Sequence, residues 1–172
     1  MKIINLTQGF ITWVDDEEYE KLIQFKWFAH DGGSGNMYAQ CNIPNYSSHT
    51  RQTTIKMHRY ILGLTDPKIY SDHIDGNSLN NQKYNLRQCT SSQNQGNRKG
   101  GNCNNTSGYK GVYYHTRNRM WVASIRVNPN RIYLGSFTTA KDAAIAYNAA
   151  AIRYFGEFAA LNNVTENDST LT

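Results

Sequence analysis

SDHIDGNSLNNQKYNLRQCTSSQNQGN, residues 71–97, is the stretch around which the rest of the chain reads. Asp72 and His73 end a short run, Lys68, Ile69 and Tyr70, that follows Pro67 and is expected to be extended. Gly76, Asn77, Asn80 and Asn81 supply turns, because Asn bonds its own backbone and tolerates the left-handed region. Leu86 to Thr90 reads as a second strand. Ser91 stands as a helix N-cap, so Asn94 falls in the first turn of a short helix. An order of strand, loop, strand and helix is one that can bring Asp72, His73 and Asn94 together.

That trio suits phosphodiester hydrolysis. A carboxylate from Asp72 and an amide oxygen from Asn94 are hard donors for one divalent ion, which takes water and phosphate oxygens for the rest of its shell. A neutral imidazole beside it, His73, can accept a proton from the attacking water, its ordinary pKa being close to working pH. The ion stabilises charge developing at phosphorus and on the leaving oxygen. A lone DH dipeptide in an Asn-rich loop is as readily a turn as a site, and the site reading rests on its combination with NLR at 85–87 and SSQN at 91–94.

With MHRYILG at 57–63, DHIDGN at 72–77, NLR at 85–87 and SSQNQGN at 91–97, the segment resembles the HNH endonucleases of ββα-metal fold, in the branch found in phages and mobile introns. The resemblance implies that His73 is the general base, that Asp72 and Asn94 hold one Mg²⁺ or Mn²⁺, and that Asn85 braces the loop by side-chain hydrogen bonds. It also implies products with 5′-phosphate and 3′-hydroxyl ends. An Asn stands here where the family name has its final His.

Composition frames this reading. The chain has 172 residues, 39% of them hydrophobic, with 12 tyrosines, which fits folded structure in one or two small domains. No run approaches a membrane span and MKIINLTQGF lacks the apolar stretch of a signal peptide, so a cytoplasmic protein is expected, in a bacterial or phage-infected cell. Cys41, Cys89 and Cys103 have no CxxC spacing and read as reduced thiols. The net charge of +5 is unevenly spread: residues 1–56 carry five Lys/Arg against six Asp/Glu, residues 57–106 six against three, and residues 107–172 seven against four. The excess lies where a phosphate backbone would need it.

Residues 1–56 read as a small α+β scaffold unit. Ile3, Ile4 and Leu6 form one strand, Phe10 to Val14 another, Asp15 to Gln24 a short helix with acids at its N-terminus, and Met37 to Ile43 with Thr53 to Met57 a sheet. Trp13, Tyr19, Leu22, Phe25, Trp27 and Phe28 supply an aromatic core. The nuclease core, 57–98, opens on a helix from His58 and Arg59 to Gly63. There Arg59 is a candidate phosphate ligand and His58 reads as a buried structural histidine. Arg87 is a further candidate DNA contact. Residues 99–106 form a basic, Gly/Asn-rich linker, and Arg98 and Lys99 at its start are expected to lie along DNA.

Residues 107–163 carry three strand-like runs, Tyr109 to Arg117, Met120 to Asn128 and Arg131 to Phe137, then a helix from about Thr139 to Phe155 that stops near Gly156. Alternation puts Trp121, Ala123, Ile125, Ile132 and Leu134 on a core face and Ser124, Arg126, Arg131 and Tyr133 on the other. SGYKGV, WVASIR, RIYLGSF, AAIAYNAAA and GEFAALN, in that order, resemble an AP2 DNA-binding domain. By that resemblance Lys110, Tyr113, His115, Ser124, Arg126, Arg131 and Tyr133 contact DNA, with Arg117 beside them. Tyr113 and His115 replace the arginines usual in plant AP2 domains. For Lys110 and Tyr113 to share a face the strand must break its alternation, and Gly111 is the natural place. Residues 164–172 read as a polar tail.

The expected protein is therefore α+β: a small N-terminal unit, a ββα-metal core, and a three-stranded antiparallel sheet on one helix. Its expected activity is a metal-dependent, site-directed double-stranded DNA endonuclease of homing type, acting as a monomer. Two alternatives stand beside it: a non-catalytic DNA-binding regulator that keeps the nuclease fold, and a structured-RNA or general nucleic-acid binder that stacks tyrosines on bases.

Overall fold

A computed structural model describes residues 1–33, 35–44, 52–98 and 105–164. Lys99, Cys103, most of the linker and the tail beyond Val164 lie outside the described residues. The chain is α+β, built from several small antiparallel sheets and few helices. It divides into two compact units, Met1–Thr90 and Ser91–Thr172.

In the first unit, β1 (Lys2–Asn5) and β2 (Ile11–Val14) pair antiparallel. The turn between them bends at Gln8 and Gly9, both with positive φ. The following helix α1 (Asp16–Leu22) has three acids in its first turn and Lys21 in its last, the arrangement its dipole favours. Strands β3 (Phe28–Asp31), β4 (Met37–Pro44) and β5 (Gln52–Lys56) form a sheet in that order, β3 being an element not separated in the sequence. Ile4, Leu6, Val14, Leu22, Trp27, Ala29, Ala39, Cys41 and Met57 make its buried core. The Trp27 indole donates to the Leu22 carbonyl at 2.7 Å, so the ring enters the core with its polar edge satisfied.

The helix α2 (Met57–Ile61) follows directly on β5. After it, β6 (Tyr70–His73) and β7 (Leu86–Cys89) form a hairpin with Asp72 opposite Arg87 and His73 opposite Leu86. The long hairpin loop does not hang free. Residues 79–81 lie along β2 through a parallel bridge of Trp13 to Asn80, with Trp13 N–H donating to the Leu79 carbonyl at 3.0 Å and Asn81 N–H to the Trp13 carbonyl at 2.8 Å. Strand β2 thus serves two partners, and the N-terminal segment and the hairpin share one compact unit.

The second unit opens on α3 (Ser91–Asn97), which packs on the longer helix α4 (Ala140–Phe155) and on the 3-10 turn Gly156–Phe158. Strands β8 (Val112–His115), β9 (Met120–Val127) and β10 (Asn130–Phe137) form an antiparallel sheet with β9 central, backed by α4. Thr139 caps α4 by accepting from the Asp142 N–H at 3.1 Å. Alanines set how close the helix sits: Ala143 and Ala144 are buried against Val112 and Ala123.

A register shift that the sequence did not indicate lies in a second strand of the sheet. Gly111 precedes β8 with φ of +77°, and the register shift lies in β10 between Tyr133 and Gly135. Tyr133 faces Ser124 and Ser136 faces Val122, and the Tyr133 and Ser136 hydroxyls meet at 2.8 Å across the shift. Gly111 permits close approach, because a Cβ there would run into the Tyr147 ring and the Ser124 carbonyl. Gly111→Ala combines a disfavoured φ with overpacking, so it is expected to destabilise the second unit by on the order of 2–4 kcal/mol. Urea unfolding followed by tryptophan fluorescence would read this as a lower midpoint.

Candidate active site and nucleic-acid interface

The hairpin loop, residues 74–85, is built from polar side chains that replace missing ladder bonds. Asn85 is buried and satisfies three partners: its amide oxygen accepts from Asp75 N–H at 2.9 Å, and its NH₂ donates to Asp75 Oδ1 at 2.9 Å and to the Asn80 carbonyl at 2.8 Å. Asp75 also accepts from Asn77 N–H at 2.7 Å and from Asn80 Nδ2 at 2.8 Å. Burial raises the Asp75 pKa, but the bonds from Asn80, Asn77 and Asn85 outweigh it and hold the carboxyl below its ordinary value. From outside the loop, Asp15 accepts from Gln82 Nε2 at 3.1 Å and Lys83 N–H at 2.7 Å, while the Lys83 ammonium meets the buried Glu18 at 2.6 Å.

His73 ends β6 at the mouth of this loop and is buried. Its Nε2 lies 3.2 Å from Asn81 Oδ1. The ring packs edge-to-face on His58 at 5.1 Å between centroids and lies 6.3 Å from Tyr38. Burial lowers its pKa, opposed by the Asn81 hydrogen bond and by Asp75 and Asp72, so the neutral imidazole is favoured. Asp72 and Arg87 form a buried cross-strand pair, the guanidinium reaching Asp72 Oδ2 through Nε at 3.1 Å and through a terminal nitrogen at 3.0 Å. Asn94 is half-buried on α3 and belongs to the second unit. Among the described residues no three His, Cys, Asp or Glu side chains cluster as a closed metal site. By donor chemistry, the Asp72 carboxylate is a hard oxygen donor of the kind that Mg²⁺ or Mn²⁺ takes.

Two expected DNA contacts, Arg59 and Lys110, donate to backbone carbonyls. The Arg59 guanidinium donates to the Ile69 carbonyl at 2.6 Å, the Asp66 carbonyl at 2.7 Å and the Leu64 carbonyl at 3.4 Å, tying the segment after α2 to its own helix. The Lys110 ammonium donates to the Gly96 and Gln95 carbonyls at 2.7 and 3.3 Å, where it meets the C-terminal end of α3. Burial, with Arg98 nearby, pushes the Lys110 pKa down to about 8.

The outer face of the C-terminal sheet brings together Tyr113, Ser124, Arg126, Arg131 and Tyr133. The Arg131 guanidinium stacks over the Tyr113 ring at 5.3 Å and donates from Nε to the Ser124 hydroxyl at 3.0 Å. Arg126 stands opposite Arg131 in the register and is exposed, as are Arg117, Tyr113 and Tyr133. Ser124 is buried and orients Arg131. His115 accepts at Nδ1 from the Asn118 N–H at 3.3 Å and shapes the turn between β8 and β9. Arg98 is exposed at the end of α3.

Thr12 and Tyr38 were not singled out in the sequence, and Asn81 was read there only as a turn residue. Thr12 on β2 holds Asn81 in the loop, Asn81 reaches His73, and Tyr38 reaches the same ring from β4. The first two are 69 positions apart, and no local pattern connects them. His58, read as structural, is buried and has no hydrogen-bond partner at Nδ1 among the described residues.

The first unit thus carries an Asn-braced loop between paired strands with an Asp-His pair at its mouth, and comparison with known proteins assigns the family. The chain is 31% identical over 162 residues to the uncharacterized HNH endonuclease L560 of Acanthamoeba polyphaga mimivirus, covering 91% of this chain and 77% of that protein. The chain belongs to the HNH endonucleases. Its C-terminal part is similar to plant DNA-binding proteins. It is 49% identical over 67 residues to the dehydration-responsive element-binding protein 2E of Oryza sativa subsp. japonica, which covers 37% of this chain and 20% of that protein. It is also 45% identical over 64 residues to the AP2-like ethylene-responsive transcription factor CRL5 of the same organism, 36% of this chain and 9% of that protein. No family model matches the chain.

Burial, then His73, Lys56 and Arg59, push the His58 pKa from 6.5 down to about 3. The unfolded chain therefore takes up protons at pH values where folded His58 does not. Stability present above pH 6.5 is lost as pH falls towards 3, and His73 adds in the same direction. Urea midpoints measured between about pH 7.5 and about pH 5 are expected to fall on acidification, and to fall less steeply in His58→Leu. Equal slopes would place the acid sensitivity elsewhere.

Proposed function

We propose that the protein is a metal-dependent, site-directed DNA endonuclease, its hairpin site hydrolysing a phosphodiester and its C-terminal sheet docking on double-stranded DNA. The observation that carries this reading is His73, a neutral imidazole held at the mouth of an Asn-braced loop beside the Asp72 carboxylate, in a chain of the HNH family. Asp72 and Asn94 would hold one Mg²⁺ or Mn²⁺, which when bound neutralises charge on the phosphate. His73 accepts the proton of the attacking water as the new O–P bond forms and the bond to the 3′-oxygen breaks; the leaving oxygen takes a proton from solvent, giving 5′-phosphate and 3′-hydroxyl ends. Asn85 keeps the loop in shape so that the base stays in position, and a single site per monomer nicks one strand first.

Arg126, Arg131, Tyr113 and Tyr133 present two guanidinium groups and two aromatic rings on one sheet face, a combination suited to phosphate and base-edge contact in a groove. Arg117 and Arg98 extend the positive surface. Joining a docking module to a single-ion nuclease raises the local concentration of the bond to be cut.

Supercoiled plasmid incubated with the protein and Mg²⁺ or Mn²⁺ is expected to become open circle, with cleavage abolished by EDTA and reduced by about 100-fold or more in His73→Ala while DNA affinity is retained. A His73→Ala protein that cuts at the wild-type rate would remove His73 as the base. Retained, metal-independent binding with intact DNA would instead favour a regulator built on the nuclease fold. The double variant Arg126→Ala, Arg131→Ala is expected to weaken binding and to flatten the slope of log affinity against log salt by roughly 2. Unchanged binding would place the docking surface elsewhere.

A further inference from the structure

The hydrogen bonds from Thr12 through Asn81 to His73 run in one direction, and that direction selects a nitrogen. Thr12, fully buried on β2, has one hydroxyl proton, which it gives to the Leu79 carbonyl at 2.6 Å. Its oxygen is then an acceptor, and it receives Asn81 Nδ2 at 2.8 Å. This orients the Asn81 amide so that Oδ1, which can only accept, lies 3.2 Å from His73 Nε2. A turned-over amide would set its oxygen against an oxygen whose proton is already committed. Asn81 itself cannot drift, since it is 1% exposed and its N–H is bound to the Trp13 carbonyl at 2.8 Å.

We propose that Thr12 and Asn81 are positioning residues that lock His73 as the Nε2–H tautomer, so that Nδ1 is the nitrogen that takes the proton from water. This rests on the nuclease reading for its consequence, though not for its geometry. It gives the N-terminal segment a part in the chemistry: β2 supplies both the hydroxyl that sets the amide and the backbone that holds residues 79–81. His58 and Tyr38 complete the arrangement by packing on the imidazole ring, which restrains its plane while Asn81 sets its protonation pattern.

The test reads the tautomer directly. Multiple-bond ¹H–¹⁵N spectra of the metal-free protein labelled at histidine, with His73 assigned by its absence in His73→Ala, are expected to show a protonated Nε2 and an unprotonated Nδ1. Thr12→Val, which keeps the shape and removes the hydroxyl, is expected to give a mixture of tautomers and to slow cleavage of bound DNA by about 10- to 100-fold with little change in DNA affinity. Thr12→Ser, which restores the hydroxyl, is expected to recover both the tautomer and the rate. A wild-type His73 protonated at Nδ1, or a Thr12→Val protein with unchanged tautomer and rate, would overturn the proposal. Should Thr12→Val not fold, the wild-type spectrum decides by itself. A wild-type protein that shows the Nε2–H tautomer but cuts no DNA would count against the nuclease reading, while the spectrum upholds the positioning by Thr12 and Asn81.

Discussion

Backbone hydrogen bonding in the loop between β6 and β7 is the constraint on which the site depends. A segment of this length that leaves a two-stranded hairpin has no ladder to satisfy its amides, and a buried unpaired amide costs on the order of 1–3 kcal/mol. Side chains take the place of the missing strand. Asn85 and Asp75 close the loop on itself, Asp15 takes the N–H of Lys83, and β2 pairs with residues 79–81. Asn-rich composition is therefore a consequence of how the loop is held: amides can donate and accept at once, and carboxylates cannot.

The same constraint explains why the N-terminal strands are not a detachable scaffold. Removing β2 would take away the Thr12 hydroxyl, the Trp13 backbone and the neighbouring Asp15 carboxylate together. The imidazole of His73 is set among groups from β4, α2 and the loop, so each of these elements contributes to one side chain's orientation. Buried polar networks of this kind hold a single arrangement when every member is satisfied.

In the second unit, cations are divided between architecture and surface. Lys110 serves the C-terminal end of α3, as Arg59 in the first unit serves the carbonyls of Leu64, Asp66 and Ile69. Arg126 and Arg131 remain on the open sheet face, with Arg131 stiffened by Tyr113 and Ser124. A stacked, hydrogen-bonded guanidinium loses less rotamer freedom on meeting a partner than a free one. The register shift in β10 keeps Tyr133 and Ser136 on that face together, which strict alternation would not.

Apart from β3, the order of elements, the core face of the C-terminal sheet and the hairpin flanking the Asp-His pair were legible in the sequence, and the bracing amide of Asn85 followed from the family resemblance. Periodicity, turn chemistry and motif spacing act between near neighbours in the chain, and they name element types reliably. Sequence also carried the two family resemblances, because each rests on several short motifs in a fixed order. What tertiary structure alone decided was the destination of long polar side chains. Arg59 and Lys110 read in the sequence as DNA contacts, and only the fold shows backbone carbonyls within their reach; Thr12 read as an ordinary strand residue until the fold set it 2.8 Å from Asn81. A side chain's hydrogen-bond partner is fixed by which distant atoms the backbone brings within about 3 Å, and no local pattern encodes that.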